Sequence, residues 1–156
     1  NDIIALVEYA RSHNLNISFI EEMPLGHISS HERNMTSLSN AKVRDLVNQH
    51  WPLTPTTEST GGPARYYRMP NSETRVGFIS PHTHNFCDSC NRVRVTAEGK
   101  LVLCLGHENA IDLKPYLHDA AALQETLIKA MALKPERHQF DLNETKIVRF
   151  MNMTGG

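Results

Sequence analysis

Three cysteines carry the chemistry-bearing pattern of this 156-residue chain. They are spaced Cys87-x2-Cys90-x13-Cys104, and the sequence contains no others. A two-residue gap lets both sulfurs of a turn point inward to one metal centre. Arg92 and Arg94 follow, separated by Val93. Guanidinium groups bind phosphate or carboxylate bidentately, so this pair asks for an anionic ligand. Cys87 and Cys90 are flanked by Asp88, Ser89 and Asn91, which is a poor pattern for buried core thiols. The odd cysteine count argues against a disulfide scaffold. Two metal readings stay open. A closed zinc site needs a fourth ligand, which His82, His84 or His107 would supply. An iron–sulfur cluster on three cysteines leaves one iron open, a sensible arrangement beside two arginines if an anionic molecule comes to the metal.

A hairpin must position these groups. Residues 92–96 alternate and 100–105 are mostly apolar, with Glu98-Gly99 as the turn signal. A three-residue loop, Ala97-Glu98-Gly99, with Gly99 at positive φ, sets Thr96 opposite Lys100 and Arg92 opposite Cys104. That register puts the third sulfur on the arginine face. A two-residue loop would slip the pairing by one and turn Cys104 away.

The remaining elements read in order. A helix from Asp2 to about Ser12 leads through a turn into an apolar run, residues 15–23, expected as a buried strand closing at Met23-Pro24-Leu25-Gly26. Helix, turn and strand suggest a parallel α/β sheet, whose ligands gather at strand carboxyl ends, so Glu21, Glu22 and Met23 lie where a site would be. Residues 27–38 read as a polar loop with His27 and His31 exposed. Ser39 or Asn40 caps a helix to about His50, and Pro52 begins a loop through 64. Residues 65–69 and 74–80 read as a second hairpin. Asp112 caps a short turn at 113–117, and Asp119 caps a helix to about Leu133 whose apolar side is Leu123, Leu127, Ala130 and Met131. The division is 1–50, a linker at 51–64, and 65–156. The terminal Gly155-Gly156 reads as a frayed end or as a thin probe without side chains.

Net charge is −1, so no global basic field argues for nucleic acid or a membrane surface. No run of about 18 apolar residues is present to span a membrane. A cytoplasmic location follows from the cysteine usage.

The run from Phe86 through Cys87, Cys90, Asn91, Arg92, Arg94, Thr96, Gly99, Lys100, Leu101 and Cys104 to Leu105 resembles the C-terminal cluster region of the GTP 3′,8-cyclases. These are radical S-adenosylmethionine enzymes of molybdenum cofactor biosynthesis. Phe19-Ile20-Glu21, Met23-Pro24-Leu25-Gly26 and the terminal Gly155-Gly156 are similar to further segments of that family. The resemblance implies the last strands and helices of an incomplete TIM-like barrel plus a cluster-bearing hairpin extension. It implies that Cys87, Cys90 and Cys104 hold a 4Fe-4S cluster whose open iron takes the purine of GTP. Arg92, the Val93 backbone and Arg94 would contact GTP, Met23 would lie against S-adenosylmethionine, and Gly155 and Gly156 would reach toward the active site in support of catalysis. Some members carry an arginine where this chain has Ser18. The CxxxCxxC motif that holds the family's second 4Fe-4S cluster does not occur here. The chain is therefore expected to be the C-terminal part of a longer enzyme and inactive alone. The parent reaction would be abstraction of the ribose 3′ hydrogen of GTP and bond formation to guanine C8, giving (8S)-3′,8-cyclo-7,8-dihydroguanosine 5′-triphosphate. The implied partners are GTP, S-adenosylmethionine, cyclic pyranopterin monophosphate synthase as the next enzyme, and a second copy of the chain in a homodimer.

Overall fold

The computed structural model describes residues 2–26, 38–140 and 147–154. All of the expected loop at 27–38 except Leu38, His27 and His31 included, and the Gly155-Gly156 terminus lie outside these residues. Chain contacts divide into two compact units. The first takes Asn1–Glu22 and Thr36–Phe86, the second Met23–Met35 and Cys87–Gly156.

The first unit is a four-stranded sheet with two helices. Helix α1 spans Asp2–Ser12 and α2 spans Asn40–His50. Strand β1 is Ile17–Ile20, β2 Thr54–Pro55, β3 Arg65–Arg68 and β4 Arg75–Ile79. The order is β1-β4-β3-β2, with β1 parallel to β4 and the other pairs antiparallel. The sheet is thus mixed rather than parallel as expected, because the hairpin β3–β4 and edge strand β2 add antiparallel pairs, and neither sheet of the molecule closes into a barrel among the described residues. Ser39 caps α2, its hydroxyl accepting from the Lys42 amide. Val7, Val43, Val47, Met69, Val76 and Phe78 form the core, flanked by Ile3, Ile17, Phe19 and Trp51.

Two expectations need correction here. The first strand is buried on one side only: Ile17 and Phe19 turn inward, whereas Ile20 is 58% exposed. Strand side chains alternate, and only one face of β1 has a partner in this core. In the expected loop, Thr54–Pro55 pairs with Tyr67 and Arg68 as an edge strand, where a proline's missing N–H is tolerated.

The second unit holds β5 (Arg94–Val95), β6 (Lys100–Val102) and β7 (Ala110–Asp112), all antiparallel, and helix α3 (Ala120–Ala132). Strand β7 was not legible in advance: three residues within a presumed loop offer no alternation to read. Asp119 caps α3 by accepting from the Ala122 amide. Asp112 likewise accepts from the Lys114 amide at the start of the short 3-10 turn Lys114–Tyr116. Leu101, Leu103, Leu113 and Ala130 make the core, with Ile111, Leu123 and Leu127 against it. Met131, expected on the packed side of α3, is 45% exposed.

The hairpin register agrees with the three-residue loop. Arg94 pairs with Val102 and Val95 with Leu101, so the next pair is Thr96 with Lys100. The Thr96 amide donates to the Lys100 carbonyl at 2.9 Å, and Gly99 has φ +76°. A side chain at Gly99 would meet that left-handed backbone and the Lys114 side chain 3.1 Å away. The ladder ends at Arg94 and Val102, so Arg92 and Cys104 lie just beyond paired strand.

Candidate metal centre

Cys87, Cys90, Cys104, Arg92, Arg94 and Met23 all belong to the second unit. Cys87 opens a single 3-10 turn, Cys87–Ser89, which closes as the Cys90 amide donates to the Cys87 carbonyl at 3.0 Å. Cys104 follows β6. All three cysteines are half-buried thiols rather than disulfides. Burial pushes the Cys104 thiol above its ordinary pKa. The Gly106 amide and the Lys134 ammonium pull it down, while Cys87 and Cys90 push it up again.

A backbone amide and a side-chain ammonium reach two of the sulfurs. The His138 amide donates to Cys87 Sγ at 3.4 Å. Its approach depends on Gly106, where a Cβ would stand 2.5 Å from His138 Cβ. Lys134 Nζ lies 3.8 Å from Cys90 Sγ, 3.1 Å from the Arg92 carbonyl and 2.9 Å from the Leu103 carbonyl. In the sequence Lys134 is simply the residue before Pro135, at the end of a helix. Its role is invisible there because Cys90 is 44 positions away.

Arg92 is exposed and Arg94 half-buried, and among the described residues neither guanidinium has a hydrogen bond or an ion pair. Arg149 is the opposite case. Its guanidinium pairs with Glu108 at 3.2 Å and donates to the His107 carbonyl at 2.9 Å and the Leu105 carbonyl at 3.5 Å. Glu108 also accepts from the Val148 and Arg149 amides, at 2.8 and 3.2 Å. The segment before the terminus is therefore tied to the loop that follows Cys104. Ile147 bridges to Leu25 in parallel, both are buried, and the Phe150 ring lies over Gly26. Met23 is half-buried on this same segment, its carbonyl accepting from the Leu25 amide at 2.8 Å.

The histidines offered as a fourth ligand are placed as follows. His107 Nε2 lies 2.9 Å from the Arg137 carbonyl. In the first unit, His82 Nε2 lies 2.9 Å from the Glu22 carbonyl, and His84 is exposed with its amide donating to the Ser80 carbonyl. Among the described residues no three or more His, Cys, Asp and Glu side chains are grouped to hold one metal ion.

The comparisons with known proteins bear on the same residues. The molybdenum cofactor synthesis C profile matches residues 15–140. This chain belongs to the molybdenum cofactor synthesis C family. It is 57% identical to the GTP 3′,8-cyclase of Marinobacter nauticus, over 99% of this chain and 48% of that relative. It is 55% identical to GTP 3′,8-cyclase 2 of Pseudomonas aeruginosa, over 100% of this chain and 49% of that one. The Saccharophagus degradans GTP 3′,8-cyclase shares 51% over 97% and 47% respectively. The chain spans about half the length of the curated relatives it matches. Family membership places it in molybdenum cofactor synthesis. Among the described residues no helix is long and apolar enough to cross a membrane.

Proposed function

We propose that this chain is the C-terminal, substrate-binding part of a GTP 3′,8-cyclase, an enzyme that converts GTP to (8S)-3′,8-cyclo-7,8-dihydroguanosine 5′-triphosphate by radical S-adenosylmethionine chemistry. Residues 1–50 continue the parent's incomplete TIM-like barrel, 51–64 connect, and 65–156 carry the cluster region and tail. Without the radical-generating CxxxCxxC segment the chain binds but does not turn over. The observation that carries this reading is the electrostatic proximity of Cys104 to Cys87, Cys90 and Lys134, in the same unit as two guanidiniums that make no hydrogen bond or ion pair among the described residues.

Cys87, Cys90 and Cys104 fit a 4Fe-4S cluster. A cluster places each thiolate on its own iron, so it wants the three sulfurs near one another but not in mutual contact. Cys87 and Cys90 lie close enough to push the Cys104 thiol up, yet among the described residues the three are not grouped around a single ion, which matches that demand. When bound, the cluster supplies an open iron site able to take a nitrogen of the purine. The chain's own residues do the rest. Arg92 and Arg94 grip the triphosphate by charge-assisted hydrogen bonds, and the Val93 backbone orients the nucleotide between them. Met23 packs against S-adenosylmethionine. Gly155 and Gly156 reach toward the substrate, delivered by a tail whose preceding residues are fixed through Arg149 and Ile147. The second 4Fe-4S cluster belongs to the parent's other half. The product passes to a cyclic pyranopterin monophosphate synthase, and the parent works in the cytoplasm as a homodimer.

The test is GTP binding to the anaerobically prepared full-length parent. Arg92→Ala weakens binding by about 1.5–3 kcal/mol, the scale of a hydrogen bond to a charged group. Unchanged affinity in a sample with full iron and sulfide content would reject the assignment. A colourless protein with one tightly held zinc would instead favour a non-catalytic zinc module.

A further inference from the structure

The Lys134 side chain touches both walls of the thiol site. Its ammonium sits 3.8 Å from Cys90 Sγ, on the 3-10 turn side. It also sits 2.9 Å from the Leu103 carbonyl, immediately before Cys104, and 3.1 Å from the Arg92 carbonyl. An ammonium has three donors, and these three contacts use all of them. It is half-buried, where its charge is screened less than at the surface. Its placement is set by α3, whose Leu133 cap ends the helix and whose last turn takes the Lys134 amide at the Met131 carbonyl, 3.2 Å. A cation at a helix carboxyl end also sits favourably against the helix dipole.

We propose that Lys134 is a positioning and potential-setting residue of the cluster site. It holds the Arg92 and Leu103 carbonyls so that the Cys87–Cys90 turn, Cys104 and the Arg92-Val93-Arg94 segment keep one geometry, and it places a positive charge and an N–H donor on a ligand sulfur. Hydrogen bonds to cluster sulfurs and local charge set the reduction potential. This inference rests on the cluster reading above, and it goes further by assigning a fourth, non-ligand residue to the site. The clamp also links substrate to metal. The carbonyl it fixes belongs to Arg92, a residue assigned to GTP, so the lysine ties nucleotide grip to cluster placement.

The experiment uses the full-length parent with its CxxxCxxC cysteines replaced, so that only this cluster loads. Iron and sulfide per chain and the EPR-monitored midpoint potential are compared for wild type, Lys134→Met, Lys134→Gln and Lys134→Arg. Lys134→Met should load less iron, and the cluster that does form should reduce at a more negative potential. Lys134→Arg should return the potential toward wild type. A merely structural lysine would lower loading and leave the potential of the loaded fraction where it was, and that result overturns the proposal. If Lys134→Met does not fold, Lys134→Gln decides, because it removes the charge while retaining a polar N–H donor on a slightly shorter side chain; an unshifted potential there is equally fatal. Wild type that takes up no iron overturns the cluster reading and this inference with it, whereas a loaded wild type with an unchanged Lys134→Met overturns this inference alone.

Discussion

The two units hold their shape by different means. The first is an apolar construction: Val7, Val47 and Val76 are 0% exposed and lock two helices onto one face of a sheet. The second has strands of two or three residues and a small core of Leu101, Leu103, Leu113 and Ala130. Much of its irregular chain is instead fixed by charged side chains donating to carbonyls, Lys134 near the sulfurs and Arg149 behind them. Apolar packing is non-directional and proportional to area, so it makes a scaffold. Charge-assisted hydrogen bonds are directional, so they suit a site whose sulfurs and guanidiniums must keep a defined geometry. The division of labour follows: the unit with the deeper core carries no cysteine, and the unit with the thinner core carries all three.

The comparison breaks most sharply at Phe78, which is 5% exposed and stacks near Phe19 and edge-on to Tyr67. Phe78→Ala should cost about 3–5 kcal/mol of stability, the range for emptying a buried aromatic site. Urea unfolding followed by circular dichroism measures it. A loss under about 1 kcal/mol would mean that this core is not what holds the first unit.

One polar latch runs against the contrast and sharpens it. Glu21, 4% exposed in the first unit, accepts from the Asn40 amide, the His82 and Thr83 amides and the Thr83 hydroxyl. Burial pushes its carboxyl up, but these hydrogen bonds outweigh burial and hold it below its ordinary value of 4.5. A carboxyl depressed in the folded state stabilises fully above its unfolded pKa and loses that contribution as pH falls through the folded pKa. Glu21→Gln should therefore cost about 1.5–3 kcal/mol at neutral pH. It should also flatten the fall in stability below about pH 4.5. A variant that keeps the wild-type acid slope would remove Glu21 from this role.

What the sequence made legible follows the same division. Local signals were sufficient where the physics is local. Ser39 and Asp119 announce their helices, and Gly99 fixes the hairpin register. The cysteine and arginine spacing singles out the site. Glu21 was rightly placed at a strand end, yet expected beside a ligand; it is an anchor for residues 61 and 62 positions away. Lys134, Glu108 and Arg149 were missed for the same reason. A lone lysine or arginine looks like any solvated charge until folding supplies its partners, here 41 or 44 positions distant. The short strands Thr54–Pro55 and Ala110–Asp112 were missed because two or three residues cannot display a period.

The smallest expected effect sets one helix start in each unit against the other. Ser39 in the first unit accepts from the Lys42 amide at 3.4 Å, and Asp119 in the second accepts from the Ala122 amide at 3.0 Å. Replacing either with alanine leaves an amide of the first turn without its acceptor and should cost about 1 kcal/mol. The two differ in charge. Asp119 adds an anion at the positive end of the helix dipole, worth about 0.3–1 kcal/mol where exposed, and Ser39 does not. Asp119→Asn keeps the oxygen acceptor and removes only that charge, so it should retain most of the cap. Raising the salt concentration should shrink the small remaining difference, because a surface charge is screened. If Asp119→Asn costs as much as Asp119→Ala, then charge rather than the hydrogen bond fastens α3, and the second unit relies on electrostatics even where its sequence looks like an ordinary capped helix.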